Sequence, residues 1–203
     1  QMSKKAQKKA KAKARDEAAA ASRPPPAPMT RLLFVGNSLS YFNSGIWFHL
    51  HKLCRAANMK VECTKVVKGG ASLEVMWTGE DDQLGEDGLS KARGALLKGG
   101  HDIVVLQEDL PETTVESFHT FTKKFVEDAK SCAVRKKEAE KSEGGSGTSS
   151  ADETNAQSLA SSPEIVLLMT WEYPRLGWIS QEGIADAHNS IAKELNLRVI
   201  PVG

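Results

Sequence analysis

The chain has 203 residues, 40% of them hydrophobic and 26% charged, which is typical of a globular protein with one domain and a core of its own. The net charge of +1 is unevenly distributed, because residues 1–28 carry eight Lys and Arg side chains and only two Asp and Glu. The remainder is net acidic, which disfavours a nucleic-acid-binding domain and leaves non-specific contact with nucleic acid to the basic arm.

The three cysteines, Cys54, Cys63 and Cys132, are odd in number and lack metal-binding spacing. They indicate buried small side chains in a reducing compartment, so we expect a cytoplasmic protein with no metal and no cofactor. No apolar stretch approaches the ~20 residues of a membrane span, so no membrane partner is expected.

Two segments have the composition of disordered chain. Residues 1–28 form a Lys/Ala-rich arm that ends in a proline-rich linker, and residues 142–162 are rich in Gly, Ser, Asp and Glu. We therefore expect one folded domain over 29–203 with a disordered insertion at 142–162.

Within the domain, strand-like and helix-like stretches alternate. The predicted strands cover 31–35, 60–67, 103–106, 165–169 and 197–200. A helix capped by Asn43 or Ser44 follows the first strand, another covers 89–98, a long one has Phe118, Phe121, Phe125, Ala129 and Cys132 on one side, and a fourth covers 181–195. Apolar strands separated by helices predict a parallel sheet covered on both faces, which binds ligands at the carboxyl ends of its strands.

At that edge the first strand delivers Gly36, Asn37 and Ser38. A serine just past a glycine turn and before a helix is where an exposed nucleophile would lie, with backbone N–H groups near a developing oxyanion. Helix capping by Asn37 or Ser38 explains the same position equally well.

The other strands deliver further candidates. Gly69 and Gly70 follow the second strand and allow a close backbone approach to a ligand. The third strand ends in Gln107, Glu108 and Asp109. The fourth is followed by Trp171 and Tyr173, which are more typical of a pocket wall than of proton transfer.

Taken together, these motifs resemble the SGNH (GDSL-type) hydrolases. The segment from Gly36 to Ser40 is similar to the first motif block, with Asn37 in place of the usual aspartate, and Gly70 with Ala71–Ser72 is similar to the second. The runs that end in Leu-Gln107-Glu108 and Met169-Thr170-Trp171 resemble a branch with LQE and MTW signatures. The resemblance spans residues 31–203 and implies a three-layer sandwich, a parallel five-stranded flavodoxin-like sheet with helices on both faces.

The resemblance also implies site roles. Ser38 would be the nucleophile, the N–H groups of Ser38 and Gly70 and the Gln107 amide would form the oxyanion hole, and Asn37, Trp171 and Tyr173 would line the pocket. Gln107 departs from the asparagine that usually ends the third block.

The family's general base comes from an Asp-x-x-His block beyond the fifth strand, and the sequence given ends at Gly203. We therefore expect a truncated, poorly active form. Each of the five histidines is better explained as a surface or helix-face residue than as a substitute base, and His49 is the first of them to test as a substitute.

The leading hypothesis is hydrolysis of an acetyl or short acyl ester, on a carbohydrate or another small molecule. The alternative is a non-catalytic binding module with the same pocket. A flavodoxin-like nucleotide binder is disfavoured, because no Gly-x-Gly-x-x-Gly loop follows the first strand.

Overall fold

A computed structural model describes residues 28–80, 82–143 and 162–202. The predicted arm and the predicted insertion lie outside these residues except at their margins. Within them, the strands are β1 (Met29–Gly36), β2 (Lys60–Val67), β3 (Ile103–Leu106), β4 (Glu164–Leu168) and β5 (Arg198–Ile200). The helices are α1 (Ser38–Tyr41), α2 (Ile46–Ala56), α3 (Leu73–Thr78), α4 (Lys91–Lys98), α5 (Val115–Glu143) and α6 (Gln181–Leu195), and short 3-10 turns cover Phe42–Ser44 and Leu110–Glu112.

The strands form one parallel sheet in the order β2-β1-β3-β4-β5, which confirms the predicted flavodoxin-like architecture. The register places Val35 opposite both Val66 and Leu106, and Leu106 opposite Leu167. Because these residues are paired in register, the segments that follow β1, β2, β3 and β4 leave the sheet at one edge.

The two faces of the sheet are covered unequally. One face packs under α3, α4, α5 and α6, and its core includes Leu33, Leu106, Phe118, Leu167 and Ile184. The other face is smaller, and α2 covers the cluster Leu32, Phe34, Val105 and Leu168 with Ile46, Trp47 and Leu50. Burial of these apolar side chains stabilises the sandwich at about 25 cal/mol for each Å² removed from water.

The two edge strands of the sheet differ in length. β2 is an eight-residue edge strand whose Lys60, Glu62, Thr64 and Lys65 are exposed, whereas β5 at the other edge has three residues. Within the described residues, β2 pairs with β1 alone.

The region after β1 differs from the prediction. Neither Asn43 nor Ser44 caps α2, because both belong to the 3-10 turn Phe42–Ser44, and Gly45 takes the cap position without a side-chain hydrogen bond. The short helices α1 and α3 were not predicted. Each is under two turns long, which is too short to show a hydrophobic period in the sequence.

Candidate active site

Ser38 is the first residue of α1, directly after the turn that ends β1. Asn37 caps this helix, because its backbone is extended and its Oδ1 accepts a hydrogen bond from the N–H of Leu39 at 3.1 Å. Ser38 is half-buried, and neither its N–H nor its Oγ hydrogen-bonds to another described residue. The capping role therefore falls to Asn37, and the Ser38 hydroxyl is left available.

Asn37 lies beneath the site rather than on its wall. Its side chain is fully buried, although the sequence predicted a pocket-lining residue. Its Nδ2 donates a hydrogen bond to the carbonyl oxygen of Ala71 at 3.2 Å, which joins the turn after β1 to the loop after β2. An ionised aspartate could keep the cap but has no proton to donate to Ala71.

Gln107 holds the turn after β1 from the neighbouring strand. Its Oε1 accepts hydrogen bonds from the N–H of Asn37 at 3.0 Å and from the Oγ of Ser40 at 2.9 Å. Its Nε2 donates to the carbonyl of Glu108 at 2.9 Å, and the residue is 1% exposed. A Cβ at Gly36 would lie 2.7 Å from Oε1, so the close approach requires glycine there. The oxyanion role of Gln107 stays a prediction, because one of its two amide protons is already bonded.

The loop after β2 presents Gly70 to solvent. Its φ of +67° favours glycine, and a Cβ there would meet no neighbouring atom, so conformation rather than crowding accounts for the residue. The N–H of Gly70 makes no hydrogen bond to another described residue. Ser72 then caps α3, with its Oγ accepting from the N–H of Val75 at 3.2 Å. The backbone donor expected of Gly70 is therefore free.

Glu108 is a buried carboxyl group directly under this loop. It is fully buried, its Oε2 accepts from the N–H of Leu73 at 3.0 Å, and its Oε1 accepts from the N–H of Asp109 at 2.8 Å. Burial raises the pKa of Glu108 to about 7 and outweighs the two backbone N–H donors, which lower it. The sequence places a glutamate after an apolar strand, which was the available signal, but it does not show which backbone groups the glutamate binds.

Asp109 and Tyr173 form a second polar pair at this edge. Asp109 is 4% exposed, and its Oδ1 has no hydrogen-bond partner among the described residues. Burial raises the pKa of the Asp109 carboxyl group, and Glu112 adds to the shift. Burial, followed by the charge and hydrogen bond of Asp109, raises the pKa of the Tyr173 hydroxyl to about 12. Tyr173 is thus a neutral phenol beside Asp109 at physiological pH.

Two tryptophans flank this pair at the surface. Trp171 follows β4 and is 40% exposed, and its role as a pocket wall stays a prediction. Trp178 is 51% exposed, and its Nε1 donates to the carbonyl of Pro111 at 2.7 Å. Large apolar surface therefore accompanies the polar groups at this edge.

No histidine among the described residues hydrogen-bonds to Ser38. His49 is exposed on α2, with its Nε2 3.1 Å from the carbonyl of Asn43. His101 lies before β3, at the other edge of the sheet. His119 and His188 belong to the α5–α6 interface, where the His119 Nε2 lies 2.8 Å from the Ala187 carbonyl. A general base for Ser38 is thus not identified within the part of the chain that the structure describes.

The described ranges contain no cluster of three or more metal-ligating side chains. In the same ranges, every helix is too short or too polar to cross a bilayer.

No protein-family profile matches this sequence, and no curated protein matches it. Solved structures do match the fold. The psychrotrophic esterase EstA from Pseudoalteromonas sp., in a structure inhibited by monoethylphosphonate, superposes with a TM-score of 0.54 at 11% identity over 85% of this chain and 76% of its own.

Two further structures match in the same way. A DUF4886 family protein from Bacteroides uniformis gives a TM-score of 0.52 at 16% identity, over 87% of this chain and 68% of its own. AlinE4, an SGNH-hydrolase family esterase, gives 0.52 at 10% identity over 86% and 76%. The resemblance to SGNH hydrolases is thus confirmed at the level of the fold.

Proposed function

We propose that this domain hydrolyses acetyl or short acyl esters through Ser38. The observation that carries the proposal is the state of Ser38, which begins a helix at the carboxyl edge of the sheet and has a hydroxyl and an N–H without hydrogen bonds to other described residues. Asn37 performs the capping task that would otherwise explain a serine here.

In the proposed reaction, the Ser38 Oγ forms a bond to the acyl carbon, and a base accepts the hydroxyl proton. The carbonyl oxygen gains negative charge, which the N–H groups of Ser38 and Gly70 stabilise as donors, with the remaining Gln107 amide proton as a third candidate. The bond to the alcohol then breaks, the alcohol leaves with a proton, and water hydrolyses the acyl-enzyme.

The second candidate function is a non-catalytic binding module. The observation that favours it is the lack of any hydrogen bond between Ser38 and a histidine in the described ranges. Without a base, the Ser38 hydroxyl is a poor nucleophile at neutral pH, and only oxyanion stabilisation and binding would remain.

A fluorophosphonate probe separates the two functions, because it forms an Oγ–P bond only with an activated serine and releases fluoride. We expect little labelling, and little hydrolysis of p-nitrophenyl acetate, in the 203-residue chain. We expect strong labelling of Ser38 when a segment carrying Asp-x-x-His is joined after Gly203, because β5 is parallel to β1 and ends at the same edge.

The matched variants are S38A, which should abolish labelling, and S44A, an exposed serine that should leave it unchanged. Equal labelling with and without the added segment would overturn the proposed source of the base. Labelling that survives in S38A would overturn the role of Ser38, and failure of both chains to label would favour the binding module.

A further inference from the structure

The Gly70–Ser72 loop is tied to the sheet at two points. From β1, the Asn37 Nδ2 donates to the Ala71 carbonyl at 3.2 Å. From β3, the Glu108 Oε2 accepts from the N–H of Leu73, the residue that follows the loop, at 3.0 Å. Both side chains are fully buried, so water does not compete for either bond.

The two attachments differ in chemistry. The amide of Asn37 is neutral at every accessible pH, whereas Glu108 is ionisable. An ionised Glu108 makes two charge-assisted bonds, to the N–H groups of Leu73 and Asp109, and such bonds are roughly twice as strong as neutral ones. Its carboxylate therefore joins the end of β3 to the start of α3.

We propose that Glu108 is a positioning residue of this site, which holds the Gly70–Ser72 loop in place through Leu73 and releases it in part when the carboxylate gains a proton. The importance of Glu108 for ester hydrolysis rests on the proposed function, in which the Gly70 N–H donates to the oxyanion. The effect of Glu108 on the loop rests only on its hydrogen bonds with the N–H groups of Leu73 and Asp109.

The groups around Glu108 place this change near neutral pH. Burial raises the pKa of Glu108 to about 7, and the charge of Asp109 adds to the rise, whereas the two backbone N–H groups and the Thr113 hydroxyl oppose it. Asp109 in turn faces Glu112, Tyr173 and Arg175. Glu74, on α3, is exposed and accepts a hydrogen bond from Ser117 instead.

Protonation alters the contact in a definite direction. A neutral carboxyl group has lost its charge, so both N–H···O bonds lose their charge assistance, and the oxygen that carries the proton is also the poorer acceptor. The Leu73 attachment then weakens below about pH 7, and the loop relies on Asn37. Above that pH the carboxylate restores both bonds.

Nuclear magnetic resonance tests this in the 203-residue chain without any need for activity. We expect the Glu108 carboxyl ¹³C resonance and the amide resonances of Leu73 and Asp109 to titrate with one midpoint near 7, with smaller shifts at Gly70. Hydrogen-exchange protection of the Leu73 amide, corrected for intrinsic rates, should be roughly fivefold lower on the acid side.

E108Q should abolish the shared titration, and E74Q, which changes an exposed glutamate next to Leu73 on α3, should preserve it. In a chain that fluorophosphonate labels, protonation of the added histidine lowers the labelling rate on the acid side in both variants, and the fall should be larger in E74Q than in E108Q, because only E74Q keeps the ionisable Glu108. A Leu73 amide that does not follow the carboxyl resonance, or that titrates unchanged in E108Q, would overturn the inference. If E108Q does not fold, the wild-type resonances alone decide it.

Failure of the proposed function has a different signature. A chain whose Leu73 amide titrates with Glu108 but whose Ser38 never labels would keep the positioning role and lose the hydrolase. A chain that labels while Leu73 and Glu108 titrate independently would keep the hydrolase and lose the positioning role.

Discussion

Asn37 uses both ends of its amide in one buried position. Its oxygen caps α1 and its nitrogen binds the Ala71 carbonyl, so a single side chain orients the residue before the nucleophile and the loop of the proposed donor. No acid or hydroxyl side chain offers this combination of acceptor and donor at neutral pH, because a carboxylate lacks the proton and serine lacks the reach.

We expect N37D to lower the free energy of unfolding by about 2 kcal/mol at neutral pH, because the buried Ala71 carbonyl would lose its donor and face a carboxylate. Urea unfolding followed by circular dichroism measures the change. N189D, an exposed position on α6, is the matched control and should change the midpoint little. A stability of N37D equal to that of N189D would show that the Ala71 bond contributes nothing.

At this scale the sequence predicted positions better than contacts. Ser38, Gly70 and Gln107 were expected at one edge of the sheet, and the five strands lie on the hydrophobic runs that predicted them. The burial of Asn37 with its bond to Ala71, the bond from Ser40 to Gln107 and the attachment of Leu73 to Glu108 could not be predicted, because each contact joins residues at least 34 positions apart.

At the scale of elements, α5 and α6 pack through a histidine. His188 is fully buried, its ring centroid lies 4.6 Å from that of Phe118, and its Nδ1 lies 2.8 Å from the Ile184 carbonyl. Its Nε2 has no partner among the described residues, so the ring has no acceptor for a second proton. Burial lowers the pKa of His188 to about 4 from an ordinary value of 6.5.

The lowered pKa makes the interface sensitive to acid. The neutral ring contributes fully above pH 6.5, and its contribution is lost as the pH falls through 6.5 towards 4, because the unfolded chain binds the proton first. On acidification from about pH 7.5 to pH 5, we expect the free energy of unfolding to fall by about 2 kcal/mol more in wild type than in H188L. Urea midpoints at the two pH values measure this, with exposed His51 as the control in H51L. Parallel pH dependence in H188L and wild type would contradict it.

The long elements were predicted closely and the short ones were not. Strand β3 and helix α6 have the predicted bounds, and the predicted apolar side of α5 is buried from Phe118 to Cys132. Those segments carry several turns or a continuous apolar run, so their periodicity is visible. Helices α1 and α3 depend on side-chain caps from Asn37 and Ser72, and capping residues serve equally often in turns.

For the whole molecule, two buried groups respond to pH in opposite directions. Burial raises the pKa of Glu108 by more than its two backbone N–H donors lower it, so the protonated form stabilises the fold as a whole although its contact with Leu73 is weaker; this contribution is full below 4.5 and is lost as the pH rises through 7. His188 behaves in the reverse sense. Between about pH 5 and pH 7.5 their effects on the free energy of unfolding are of similar size and largely cancel.

We therefore expect E108Q to lose stability on acidification from about pH 7.5 to pH 5 more steeply than wild type, and H188L less steeply, with wild type between them. Chemical unfolding of the three chains at both pH values measures the slopes. Identical slopes in wild type and E108Q would show that Glu108 titrates alike in the folded and unfolded chain.

The free edge of β2 has a consequence for encounters between molecules. Eight residues of backbone on one side of this strand have no neighbouring strand in the described part of the chain, and such an edge is a template for pairing with another copy. Lys60, Glu62 and Lys65 are exposed along it, and a second strand would have to desolvate those charges to dock. Self-association of the chain at high concentration should thus depend on these three surface charges, which contribute little to the stability of the core.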